Sequence, residues 1–144
     1  MEILDKLTDL ELSELYDNAL KGYNNSYSPY SNFKVGASLL TNSGKMYYGC
    51  NIENSSYGLT NCAERTTIFK AVSEGVRKGD IKALMIIGDT IEPISPCGAC
   101  RQVMVEFMGG EGLVILTNLK KEFKPMLVKE LLPYFFSEGN LNEK

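Results

Sequence analysis

The sequence contains no histidine, and this absence restricts the chemistry available to the chain. Histidine is the usual general base, the usual activator of a nucleophile and a frequent metal ligand. If the protein is a catalyst, its reacting groups must therefore come from cysteine, carboxylate or arginine side chains.

The sequence also lacks a basic cluster and a long apolar run. Its 15 lysines and arginines are scattered among 18 aspartates and glutamates, and the formal net charge is −3. Tight binding of nucleic acid needs a face that neutralises several phosphates, so we expect no nucleic-acid partner. No stretch approaches the roughly 20 apolar residues of a membrane helix. The acidic N-terminal segment lacks the pattern of a signal peptide, so we expect a cytoplasmic protein with no membrane partner.

The length of 144 residues is typical of one compact domain, and no repeat or linker divides the chain. We therefore predict a single domain over residues 1–144. A chain of this length buries roughly 68–70% of its unfolded surface, so it needs no disulfide to hold a core. In a reducing compartment, its four cysteines are better interpreted as ligands or catalytic groups.

Hydrophobic periodicity predicts alternating helices and strands. Thr8 followed by Glu11 is a capping-box pattern that predicts the start of the first helix. The predicted elements are a helix after Thr8, hairpin strands over 33–39 and 45–50, a helix over 63–76, a strand over 81–87, a helix from Pro96, a strand over 113–116 and a helix over 126–132. This order predicts an α/β fold of three α/β/α layers, with a mixed, roughly five-stranded sheet covered by helices on both faces.

Three of the cysteines have a pattern that suits a metal. Cys97 and Cys100 have the C-x-x-C spacing that lets two thiolates chelate one ion, and Cys62 can supply a third thiolate. Three protein ligands leave the fourth tetrahedral position of zinc open for water, which is the arrangement of a catalytic site. Such water ionises near neutral pH.

Two residues beside Cys62 can support this chemistry. Glu64 is the candidate proton shuttle, although a spacing of two residues on a helix does not by itself bring it to the metal. Three thiolates around Zn²⁺ leave a net negative charge, and Arg65 can donate hydrogen bonds to them. Both cysteine segments are predicted at helix N-termini, where negative charge is favoured.

Other functions fit parts of the same pattern. A C-x-x-C that opens a helix also suits a dithiol oxidoreductase, but this leaves Cys62 and Glu64 without a role. A structural zinc module would recruit Cys50 as a fourth ligand. Otherwise Cys50 is a small buried apolar residue.

The cysteine segments, C-A-E at 62–64 and P-C-G-A-C at 96–100, resemble the signature of zinc-dependent nucleoside deaminases. The segments at 33–37, 49–54, 61–66, 95–102 and 130–133 extend the resemblance to the small homotetrameric cytidine deaminases, within the cytidine/deoxycytidylate deaminase superfamily. This resemblance implies hydrolytic deamination of cytidine, and of deoxycytidine, with ammonia release in pyrimidine salvage. A deaminase of a cytosine-containing nucleoside antibiotic is the alternative within the same chemistry.

The resemblance also implies residue roles. It implies that Cys62, Cys97 and Cys100 bind one Zn²⁺ per subunit and that Glu64 shuttles protons. It implies that the nucleoside is bound by Phe33 on the pyrimidine ring, by Asn51 and Glu53 on the ribose, by the Ala63 backbone at the base edge and by Phe136 of a neighbouring subunit. Tyr57 is a further candidate for an intersubunit contact. The implied assembly is a homotetramer whose sites are completed by neighbouring subunits.

Overall fold

One five-stranded mixed sheet organises the computed structural model, which describes residues 4–142. Its strands are β1 (Val35–Thr41), β2 (Met46–Cys50), β3 (Ile81–Gly88), β4 (Leu113–Asn118) and β5 (Phe123–Leu127). Their order across the sheet is β2-β1-β3-β4-β5. β3 and β4 are parallel, whereas the other neighbouring pairs are antiparallel.

The described part of the chain also contains five α-helices. They are α1 (Asp9–Asn24), α2 (Ala63–Ser73), α3 (Gly98–Met108), α4 (Val128–Leu131) and α5 (Glu138–Asn142). The predicted capping box is confirmed at the start of α1: the Glu11 N–H donates to the Thr8 hydroxyl at 3.0 Å, and the Thr8 N–H donates to the Glu11 carboxylate at 2.9 Å. Among the described residues, no helix is both long and apolar enough to cross a membrane.

The central strand β3 has an apolar core on each of its faces. Successive side chains of a strand point to opposite faces. Met85 and Ile87 pack with residues of α1, including Leu15. On the other face, Ile86 packs with residues of α2 and α3, including Ile68. The nearly continuous apolar run of β3 follows from this double burial, and the predicted three-layer α/β/α fold is confirmed.

The prediction of a helix over residues 126–132 is wrong at its start. The chain there forms the strand β5, which pairs with β4, and the helix α4 begins only at Val128. Pro125 lies within β5 opposite Ile115, and a proline is tolerated there because β5 is an edge strand. This proline conceals the strand in the sequence pattern. The helix α2 also ends before the predicted Val76, since Gly75 has a positive φ of 109°.

A close approach between α1 and the hairpin makes Gly22 sensitive to substitution. A Cβ at this position would lie 2.0 Å from the carbonyl oxygen of Gly49. Alanine normally stabilises a helix interior relative to glycine by roughly 1 kcal/mol. We nevertheless predict that Gly22→Ala lowers the free energy of unfolding by about 1–3 kcal/mol, because the extra atom must push helix and strand apart. Urea unfolding measures this change.

Gly58→Ala is the control for this prediction, since a Cβ there meets no atom within 4 Å. A Gly22→Ala protein as stable as the wild type would show that α1 shifts without cost.

Candidate metal centre and active site

Three cysteine thiols converge where α2 and α3 begin. Cys62 is the N-cap residue of α2, Cys97 is the N-cap residue of α3, and Cys100 lies in the first turn of α3. The Cys62 Sγ lies 3.7 Å from the Cys97 Sγ, which lies 3.3 Å from the Cys100 Sγ. All three sulfurs are within 4.8 Å of one another. The two cap residues have extended backbone dihedrals, so the chain enters both helices at this cluster.

The chemistry of this donor set fits zinc. Thiolates are soft ligands that suit zinc, as they suit Cu(I) and iron–sulfur clusters, and three of them with an open position match a catalytic zinc site. The pKa of Cys62 is lowered to about 5, chiefly by a hydrogen bond with the Cys100 thiol and further by Arg65. The pKa of Cys100 is raised by the same hydrogen bond and by burial. The cluster thus favours the thiolate form of Cys62, which is the form that binds a metal.

Arg65 extends from α2 to the thiol cluster. Its Nη2 atom donates a hydrogen bond to the Cys62 Sγ at 3.5 Å. The Arg65 Nε atom is buried and has no hydrogen-bond partner among the described residues. The guanidinium therefore places positive charge beside the sulfur ligands, as the sequence-based hypothesis requires.

Glu64 is a buried carboxyl at the same cluster, with only 4% of its surface exposed. Its pKa is raised to about 7, chiefly by burial and in smaller part by the negative charge of Cys62. The spacing between Cys62 and Glu64 did not predict this proximity. It arises because Cys62 lies before the helix in an extended conformation, so the two residues do not follow helical geometry. A carboxyl with a pKa near neutrality can both accept and donate a proton.

The structure places the residues expected to bind the base near the start of β1 and α2. Ala63 is fully buried as the first residue of α2. Phe33 is 44% exposed just before β1. The side chain of Asn51 connects Phe33 to β1: its Nδ2 atom donates to the Phe33 carbonyl at 2.8 Å, and its Oδ1 atom accepts from the Val35 N–H at 3.0 Å. The Ser26 hydroxyl also donates to this Oδ1 atom. Asn51 therefore braces the segment that carries Phe33, and its second Nδ2–H has no hydrogen-bond partner among residues 4–142.

Glu53 lies at the wall of a cavity of about 300 Å³. The residues that line this cavity are Tyr30, Ser31, Glu53, Asn54, Tyr57 and Thr60. The Glu53 Oε1 atom accepts from the N–H groups of Tyr30 at 3.0 Å and Ser31 at 3.1 Å, and the Ser31 hydroxyl donates to Oε2. These hydrogen bonds lower the pKa of Glu53, and the bond from the Ser31 hydroxyl has the largest effect. Glu53 is thus an ionised acceptor fixed in orientation, and Ser31 is a residue whose role the sequence did not indicate.

Two of the residues considered for the site lie apart from the rest. Phe136 is 57% exposed in the C-terminal segment and does not line the cavity of Glu53. Its expected role, in the site of a neighbouring subunit, stays a prediction. Cys50 lies outside the thiol cluster, and its thiol donates to the Asn25 carbonyl at 3.5 Å. A closed site of four cysteines is therefore not formed, which removes the main support for a structural zinc module.

Three α/β/α layers, a three-thiol cluster and a buried carboxyl beside it are the features of a zinc-dependent deaminase. Residues 10–117 match the family described as "Cytidine and deoxycytidylate deaminase zinc-binding region". The chain belongs to the cytidine and deoxycytidylate deaminase family. The family predicted from the sequence, and zinc as its metal, are therefore confirmed.

Individual relatives agree with this assignment. The chain is 51% identical to a cytidine deaminase of Sporosarcina psychrophila, over 92% of this chain and 96% of the relative. It is 48% identical to a cytidine deaminase of Halalkalibacterium halodurans, over 90% of this chain and 96% of the relative. The crystal structure of a cytidine deaminase from Burkholderia pseudomallei superposes with a TM-score of 0.85 at 47% identity, covering 90% of this chain and all of that one.

Proposed function

We propose that the protein hydrolyses the exocyclic amine of cytidine, and of deoxycytidine, to give uridine or deoxyuridine and ammonia. The observation that carries this proposal is the buried carboxyl of Glu64 beside three convergent thiols. Hydrolysis of an amidine needs both an activated water and a group that moves protons. The site offers candidates for both, and relatives over nearly the whole chain are named cytidine deaminases.

The proposed reaction uses Glu64 as the only proton carrier. Zinc bound by Cys62, Cys97 and Cys100 would supply Lewis acidity, which lowers the pKa of water in such sites. Glu64 takes one proton from the attacking water and delivers it to the ring nitrogen next to the reacting carbon. It then moves the second proton of that water to the amine, the carbon–nitrogen bond breaks, and ammonia leaves. A pKa of about 7 suits both transfers, because the carboxyl changes its protonation state readily near neutral pH.

The proposed nucleoside site lies between the thiol cluster and the cavity of Glu53. The ionised Glu53 carboxylate accepts hydrogen bonds from ribose hydroxyls, and the second Nδ2–H of Asn51 donates one. The Ala63 backbone lies at the base edge, and Phe33 packs on the pyrimidine ring. This arrangement favours a nucleoside over free cytosine, because the sugar supplies the groups that Glu53 recognises.

We further propose a cytoplasmic homotetramer with one zinc ion per subunit, acting in pyrimidine salvage. Two aromatic side chains that line the cavity are well exposed in the single chain, Tyr57 at 78% and Tyr30 at 49%, and Phe33 is 44% exposed just before β1. Aromatic residues are enriched at subunit interfaces. In the assembly, Phe136 of a neighbour closes the site, and Tyr57 contacts an adjacent subunit.

Ammonia release from cytidine by the purified, zinc-loaded protein tests the proposed function. We expect release from cytidine and deoxycytidine, and much less from free cytosine. Release only from a cytosine-containing nucleoside antibiotic would transfer the function to the alternative substrate class. Absence of release from all of these compounds would reject the proposal.

The contribution of Glu53 is tested by Glu53→Gln, which keeps the size of the side chain but removes its charge. Because an ionised carboxylate is a stronger hydrogen-bond acceptor than a neutral amide, we predict that KM for cytidine rises roughly 10-fold to 100-fold while kcat changes less. Steady-state kinetics of ammonia release measures both constants.

Glu14→Gln is the matched control, because Glu14 is an exposed residue of α1 that does not line the cavity. An unchanged KM in Glu53→Gln would show that this carboxylate does not bind the sugar.

A further inference from the structure

Arg101, the residue after Cys100, connects three separate parts of the chain. Its Nε atom donates to the Pro96 carbonyl at 2.9 Å, and its Nη2 atom donates to the Ser95 hydroxyl at 2.8 Å. Its Nη1 atom donates to the Leu131 carbonyl at 2.5 Å. A guanidinium can serve three such acceptors at once because its donors are held in a rigid plane, whereas a lysine ammonium is a single flexible point.

Two of these three bonds hold the segment that leads into the metal ligands. Ser95 and Pro96 immediately precede Cys97, and Arg101 immediately follows Cys100. The side chain of Arg101 therefore closes a short ring that contains both cysteines. Arg65, by contrast, donates directly to a ligand sulfur. Arg101 makes no described hydrogen bond to a thiol, so it acts on the backbone that presents the thiols.

The third bond joins this loop to the end of α4, from which the C-terminal segment, residues 132–142, continues. Leu131 is the last residue of α4, and the chain after it carries Phe136. The neighbouring Gln102 holds the same segment, since its Nε2 atom donates to the Phe136 carbonyl at 2.9 Å. Lys78 also contacts Glu138 of α5, but both side chains are well exposed, and such ion pairs contribute little. Among the described residues, the side chains of Arg101 and Gln102 make the hydrogen bonds that join α3 to the end of α4 and to the chain after it.

We propose that Arg101 is a positioning residue that couples the metal-ligand loop to the C-terminal segment carrying Phe136. Shortening its side chain loosens both parts together, although they lie on opposite sides of the guanidinium. The roles of the two parts rest on the proposed function, but the coupling between them is a property of the fold.

Arg101→Lys tests this proposal in the full-length, zinc-loaded protein. We expect zinc transfer to a chromophoric chelator to become about 10-fold faster or more, which is the usual range for loss of a group that supports metal ligands. We expect backbone hydrogen exchange to become faster in residues 132–142 of the same protein. KM for cytidine should rise together with these changes.

Two further variants test the metal-ligand loop and the C-terminal segment separately. Ser95→Ala removes a single bond to the loop, so zinc release should increase less than in Arg101→Lys and the C-terminal exchange should stay near the wild-type rate. Gln102→Leu removes the bond to Phe136, so exchange in 132–142 should increase while zinc release stays unchanged. These variants also test the proposal if Arg101→Lys fails to fold.

Arg77→Lys is the matched control. Like Arg101, Arg77 uses its guanidinium to hold backbone carbonyls, those of Val72 and Val76, but these lie outside the site. Faster zinc release and faster C-terminal exchange in Arg101→Lys alone would support the coupling. Wild-type behaviour in either measurement, or equal effects in Arg77→Lys, would overturn it. A wild type that releases no ammonia from cytidine would reject the proposed function. Zinc transfer and hydrogen exchange in residues 132–142 would still decide the role of Arg101.

Discussion

Glu64→Gln is expected to lower kcat for cytidine deamination by about 100-fold to 10 000-fold. This is the range that a positioned proton carrier contributes, and no histidine is present to take over the role. Glutamine has nearly the same shape but cannot accept a proton from water or deliver one to the ring nitrogen. Because the site is buried and raises the pKa of the carboxyl, a neutral side chain is well tolerated there. The variant should therefore fold and bind zinc normally.

The measurements for this prediction are the rate of ammonia release, the zinc content and the affinity for cytidine. A kcat reduced with normal zinc content and near-normal nucleoside binding would assign Glu64 to proton transfer. A variant that keeps more than about one tenth of the wild-type rate would require another proton carrier.

Cys100→Ser is the second change with a very large expected effect. Cys100 is the fully buried member of the thiol cluster, and a serine hydroxyl is a poor ligand for zinc. Loss of a group that merely supports a ligand typically costs 10–100-fold in metal affinity or activity. We therefore predict that loss of a ligand lowers zinc affinity and activity by more than about 100-fold. Metal analysis after dialysis and ammonia release measure the two quantities.

Cys50→Ser is the control for this change, since Cys50 lies outside the cluster. It should keep its zinc and its activity. Equal loss of zinc from both variants would restore the interpretation of the protein as a four-cysteine structural module.

The sequence predicted those parts of the molecule that depend on local patterns. The capping box at Thr8 and the buried run of β3 are local signals, and both match the structure. The cysteine spacing at Cys97 and Cys100 also predicted the metal centre. The strand β5 was not predicted because Pro125 interrupts its pattern. Its pairing with β4 alone makes it an edge strand, which accommodates a proline.

Other features of the site depend on contacts between distant segments and have no local signal. The orientation of Glu53 is fixed by Ser31, which lies in a loop that precedes β1. The bracing of Phe33 by Asn51 and the three bonds of Arg101 are likewise visible only after the chain has folded. In these cases the residue type allows the contact, and the tertiary structure selects the partner.

At the N-caps of α2 and α3, selection for stability of the metal-free chain and selection for metal binding favour different residues. Neither Cys62 nor Cys97 makes a side-chain capping hydrogen bond, whereas serine, aspartate or asparagine at an N-cap typically adds about 1 kcal/mol. At both positions, mutations that would improve the helix start in the metal-free chain would remove a ligand. Selection for stability alone would therefore replace cysteine at these positions, and only selection for catalysis retains the cysteines. A descendant that loses the activity should lose these two cysteines early, and become easier to fold without metal as it does so.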